Sequence, residues 1–143
     1  MTHRPGMRLA VVRVSGAEFD SQGFATRFGF RPDLVWRAGE PDGVGRVRQT
    51  SGFKLTIADE ASSTALVRRV CEWVNANRAA FRAVESAGAT AEIDVGLSVG
   101  ASSQFFAAVT WAPSELRLPA ECGVGLCFSA YPGSGETESE SAV

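Results

Sequence analysis

The sequence predicts a single α+β domain with two layers: a mostly antiparallel sheet of about five strands, with a short and a long helix packed on one face. Three observations predict it. Apolar and polar residues alternate over 53–57 and again over 91–99, the period of strands with one covered and one wet face. Between them, Leu66, Val70, Trp73, Val74, Phe81 and Val84 fall at helical spacing. The order of elements reads β-α-β-α-β-β-β, which suits helices gathered on one side of an antiparallel sheet.

The first strand is Leu9 to Val14, a compact β-branched run bounded by Ser15-Gly16, read as interior with both faces largely covered. Asp20 then offers an N-cap, Phe19 a staple onto Phe24, and Phe24, Ala25 and Phe28 one apolar face of a short helix. Gly29 ends that helix and Pro32 prevents its continuation. From Arg31 to Thr50 the chain is rich in Gly, Pro and Arg and lacks periodicity, which reads as a long loop; loops of this length are uncommon unless they serve a function.

Phe53, Leu55 and Ile57 against Lys54 and Thr56 make the second strand, and Asp59 to Ser63 breaks it. The long helix follows, ending near Gly88, with Asn75 and Asn77 as the place for a kink because their side chains compete for backbone hydrogen bonds. Ala91, Ile93, Val95, Leu97 and Val99 face inward on the clearest strand, opposite Glu92, Asp94, Gly96 and Ser98. Gly100 to Ser103 reads as a turn into a hairpin partner near Phe105 to Trp111. Pro113 to Glu121 reads as irregular, and Val124, Leu126, Phe128 and Ala130 form the inner face of the last strand.

Residues 1–8 read as a frayed N-terminus, 9–131 as the domain, and 132–143 (PGSGETESESAV) as a disordered acidic tail too poor in apolar groups to offset the entropy of ordering. At 143 residues the chain can bury a core without metals or disulfides. No stretch approaches the roughly 20 apolar residues of a membrane helix, and no secretory signal is evident. Three cysteines, Cys71, Cys122 and Cys127, make no disulfide framework; the expected location is the cytoplasm. The net charge of −2 comes largely from Glu136, Glu138 and Glu140 of the tail, so the body is near neutral and argues against a nucleic-acid partner.

The chain resembles the bacterial domain-of-unknown-function 4279 family. The resemblance lies in LAVVRVSGAEFD, the short helix ending in RFGFRPDLVWRAGEP, SGFKLTIAD, the long helix, and a final strand ending in Tyr131. Gly29 with Pro32, and the stretch Trp36 to Glu40, match the family's tendencies. The pattern departs between Leu118 and Cys122, where similar proteins place a short helix, so a truncation is expected there. The resemblance implies a fold and a bacterial source; it carries no catalytic residues, cofactor or metal.

The residues themselves offer little catalytic chemistry. His3 is the sole histidine and lies in the segment expected to fray, so triads and histidine metal sites lack their central group. Cys71 falls on the apolar side of the long helix, where a thiol behaves as a small hydrophobe. Cys122 and Cys127 are too far apart along an extended segment to bridge and lack metal-site spacing. Glu92 and Asp94 share a strand face at roughly 6.5 to 7 Å, a separation that suits acid–base work or simply a solvated face. Arg27, Arg31, Arg37, Arg46 and Arg48 cluster in sequence with Trp36 and three glycines. Guanidinium forks beside an aromatic suit a phosphate, a carboxylate or an acidic surface, while Asp33, Glu40 and Asp42 offer the plainer outcome of local neutralisation.

Two functions follow from these residues. The first is a non-catalytic protein-binding module, an immunity-type or accessory protein acting through Trp36 and its arginine loop, or through a sheet edge. The second is a small anionic-ligand binder or enzyme using Arg37, Arg46 and Arg48, with Arg31 nearby and Glu92 and Asp94 as acid–base groups.

Overall fold

The computed structural model describes residues 8–100 and 107–132. Nine elements follow in order: β1 (Arg8–Gly16), α1 (Ser21–Arg27), β2 (Leu34–Trp36), β3 (Ser51–Glu60), α2 (Ser63–Ala76), α3 (Arg78–Ser86), β4 (Thr90–Val99), α4 (Pro113–Glu121) and β5 (Val124–Pro132). The strands form one sheet in the order β2-β3-β1-β4-β5. β1 is its centre, antiparallel to both β3 and β4; β2 is antiparallel to β3, and β5 runs parallel to β4.

The fold class is α+β, with five strands and the helices on one face. Alternation explains the layering. Ala10, Val12 and Val14 of β1, Phe53 of β3 and Ala91, Ile93 and Val95 of β4 are buried under the helices, and Leu66, Val70 and Val74 of α2 meet them from above. A chain of rings, Phe19, Phe24, Phe53, Phe30, Trp73 and Phe81, runs through this layer with successive centroids 5.3 to 6.2 Å apart, in the range where aromatic pairs add to simple burial.

Several expectations are corrected. β1 is interior, but only one of its faces is covered: Arg13 lies on the far side and is exposed. Arg8, expected to fray, pairs with Glu60 and Leu97, and Pro132, expected in the tail, closes the β4–β5 ladder. The rest of both terminal segments, including His3, lies outside the described residues. The loop after α1 contains a short strand, β2. The hairpin partner after β4 is absent where the chain is described: residues 107–112 form no strand, and Phe105 and Phe106 lie outside the described residues. Trp111 ends no strand but packs, partly buried, against the core.

The long helix breaks at Asn77, whose side-chain amide donates to the Trp73 carbonyl at 2.8 Å and whose backbone leaves helical geometry. That is the side-chain competition expected of asparagine within a helix. The segment expected to be irregular and truncated is α4. Pro113 starts it, and Glu115 reaches back to accept from the Ala112 amide at 2.8 Å, the reciprocal half of a capping box. Pro119 inside α4 has no N–H for the carbonyl of Glu115. The thiol of Cys71 on α2 donates to that carbonyl instead, at 3.9 Å. α4 then leads into β5 and makes the crossover that parallel pairing requires.

Candidate anion-binding cleft

The uncovered face of the sheet carries the polar chemistry, and strand register sets its layout. Lys54, Arg13 and Glu92 stand in one line across β3, β1 and β4, with Leu34 of β2 at its end. The next line on this face holds Trp36, Gly52, Ser15 and Thr90. Arg13 and Lys54 are therefore directly opposed like charges, a pairing that destabilises a sheet.

Trp36 lies flat on the sheet because Gly52 leaves it room: a Cβ at Gly52 would stand 2.5 Å from Cζ2 of the indole and 2.5 Å from the Val14 carbonyl. Ser21 of α1 donates to the Trp36 carbonyl at 3.3 Å and ties the strand to the helix layer. The guanidinium of Arg48 covers the outer ring face, 5.1 Å from its centroid. Trp36 is consequently only 7% exposed, so a partner reached through this loop meets Arg48 before the indole. It is a platform for an arginine.

The loop of residues 37–50 folds back on itself to deliver Arg48. Gly39 donates to the Arg48 carbonyl and Arg48 to the Glu40 carbonyl, each at 2.8 Å, and Pro41 bridges to Val47. Gly39 and Gly45 have φ of 90° and 82°, the left-handed geometry that such tight turns require. The acids are occupied by nearby backbone amides and one hydroxyl. Asp42 accepts from the amides of Arg46 and Val44, Glu40 from the amide of Arg37, and Asp33 from the amide and hydroxyl of Thr56. The amides of Arg46 and Val44 hold the Asp42 carboxyl below its ordinary range, against an opposing desolvation and with a lesser contribution from the Arg48 charge. No ion pair joins these acids to Arg31, Arg37, Arg46 or Arg48 among the described residues, so local neutralisation takes a form different from salt bridges.

A cleft of about 410 Å³ opens where these parts meet, lined by Arg13, Ser15, Leu34, Trp36, Arg48, Gln49, Thr50 and Lys54. Of the residues singled out in the sequence, Trp36 and Arg48 line it; Arg31, Arg37 and Arg46 are exposed and do not. Arg13 and Lys54 were not among the candidates. Both were marked by the pattern, as cations at outward positions of otherwise apolar strands, but only register shows that they face each other.

Glu92 and Asp94 do share the open face, with separate partners. Glu92 lies 3.9 Å from Arg13 in a half-exposed ion pair, and Asp94 accepts from the Ser129 hydroxyl at 2.8 Å. A pair this exposed holds its charges weakly. Burial, with Glu115 nearby, raises the Cys71 thiol above its ordinary value, so it stays protonated as a donor. Among the described residues no cluster of His, Cys, Asp and Glu has the geometry to hold a metal ion, and no helix is long and apolar enough to cross a membrane. No protein-family model, curated protein or solved structure matches this chain.

Proposed function

We propose that this protein is a non-catalytic binding module that holds the anionic group of its ligand in the cleft between β1, β2, β3 and the loop of residues 37–50. The observation that carries the reading is the cross-strand pair Arg13–Lys54 with Arg48 beside it. Like charges brought together at a cost to the sheet mark a site selected for what it binds. The nearby loop acids accept from backbone amides, and no ion pair ties the loop cations to a carboxylate among the described residues. None of the lining residues is a carboxylate, thiol or imidazole, so the cleft itself offers no ordinary general base.

Thermal unfolding of the full chain at constant ionic strength tests this. Phosphate, sulfate and citrate raise the midpoint relative to chloride, because a ligand of the native state stabilises it by mass action. Lys54→Thr and Arg48→Leu each remove most of that rise. Equal midpoints in all four salts, or a rise that survives both substitutions, would refute the reading.

A further inference from the structure

Resting on the anion-binding reading, we infer that the ligand is a small phosphomonoester with an aliphatic body, and that neither a carboxylate nor a nucleotide recognised by base stacking is its natural occupant. The argument starts from the origin of the cations. Arg13 comes from β1, Lys54 from β3 and Arg48 from the loop, so they approach one cleft from three elements. A tetrahedral phosphate dianion presents an oxygen to each of them. A carboxylate has two oxygens in one plane and a single charge, and leaves at least one cation unmatched.

The three cations have different freedoms, which suits one fixed and two adaptable contacts. Arg48 is held flat by its stack on Trp36 and has no protein acceptor for its side-chain N–H groups among the described residues. Its fork is oriented before the ligand arrives, which lowers the ordering cost of binding. Arg13 is shared with Glu92 at 3.9 Å, a pair weak enough to yield to a dianion. Lys54 supplies a point charge on a mobile stem. The Ser15 and Thr50 hydroxyls stand in the same lining as further donors.

The body of the ligand follows from what remains. A nucleotide would need an aromatic face, and Trp36 is the one aromatic in the lining, with Gly52 beneath the ring and Arg48 above it. Both faces are taken. The lining's other apolar group is Leu34, 40% exposed at the end of the Lys54–Arg13 line. That gives a few aliphatic carbons something to rest on. About 410 Å³ falls in the range of small-ligand sites and is too little to seat a folded partner.

Calorimetric titration of the full chain with four probes tests this: glycerol 3-phosphate, glutarate, adenosine monophosphate and a phosphoserine peptide. Glycerol 3-phosphate binds about tenfold more tightly than glutarate, the effect of one further charge-assisted hydrogen bond. Adenosine monophosphate and the peptide gain nothing over it. The phosphorus resonance of bound glycerol 3-phosphate titrates below the free value of about 6, since cations favour the dianion. Equal affinity for glutarate overturns the phosphate assignment while leaving anion binding intact. Tighter binding of adenosine monophosphate overturns the aliphatic body, and tighter binding of the peptide overturns the small-molecule ligand. No heat with any probe refutes the anion reading itself. Trp36→Leu, which frees Arg48, weakens glycerol 3-phosphate binding several-fold while inorganic phosphate still binds through Arg13 and Lys54; unchanged binding of glycerol 3-phosphate removes the orienting role.

Discussion

The two halves of the open sheet face use one device for different ends. Near each edge an aromatic ring lies on a glycine of the neighbouring strand, Trp36 on Gly52 and Tyr131 on Gly96. On the β2–β3–β1 half, the ring is buried under Arg48 and sits among three cations, of which only Arg13 has an ion pair, a half-exposed one with Glu92, among the described residues. On the β4–β5 half, Tyr131 is 38% exposed and Asp94 is satisfied by Ser129. The difference teaches how a sheet face becomes a site. An aromatic on a glycine flattens the surface; a loop pinned over it gives the surface walls and charge.

The sharpest way to break the comparison is to fill the two glycines. At Gly52 a methyl group meets the Val14 carbonyl and the Ser15 Cβ as well as the indole, so both backbone and side chain must shift. Gly52→Ala should cost about 3 kcal/mol in chemical denaturation and release Arg48 from its stack. At Gly96 the nearest atom is Cε2 of Tyr131, at 2.9 Å, on a partly exposed side chain, and the nearest backbone atom, the Leu9 carbonyl oxygen, is 3.8 Å away. Gly96→Ala should cost about 1 kcal/mol or less. Equal losses at the two positions would mean that the rings are held alike.

A smaller effect of opposite sign separates site from scaffold. Lys54→Thr removes the like charge facing Arg13 and places a β-branched residue on a strand, so the ligand-free protein should gain about 0.5 kcal/mol. The same substitution loses the anion response. A variant that is both less stable and still responsive would show Lys54 to be part of the scaffold.

The smallest effect concerns the loop alone. The Asp42 carboxyl titrates below its ordinary value of 3.8 because it accepts from Arg46 and Val44. Its ionised form therefore supports the loop at every pH above that value, and the support disappears as pH falls through the depressed one. Hydrogen exchange at the Val44 and Arg46 amides should accelerate over that acidic interval, relative to their intrinsic rates, while β1 amides stay protected. Asp42→Ala should show the faster loop exchange at neutral pH.

Local pattern made much of the fold legible. Alternation on β3 and β4, the cap and stop of α1, and the break at Asn77 are short-range signals, and each corresponds to an observed element. α4 was hidden because Pro119 argues against a helix, and the compensation, the Cys71 thiol on the Glu115 carbonyl, comes from an element far away in sequence. β2 was hidden by being three residues long inside a loop. The parallel placement of β5 was hidden because an antiparallel hairpin needs only a turn, whereas a parallel pair needs a crossover, and the crossover was the helix that went unread. The cleft was half legible. Trp36 and Arg48 announced themselves by residue type in a loop, while Arg13 and Lys54 acquire meaning only when β1 and β3 are laid side by side.

The central position of β1 has a consequence for how the chain is made. A ribosome delivers β1 first, yet the partner of Val12 on β4 is Ile93, and even its β3 partner, Leu55, emerges much later. Until β3 is made, the run LAVVRV has both hydrogen-bonding edges open, and its β4 edge stays open until residues 90–99 follow. Long-range pairing of this kind is slow to form and leaves sticky intermediates. Substitutions that make LAVVRV more apolar on its open edge therefore act on the interval before β4 arrives as well as on the stability of the finished sheet.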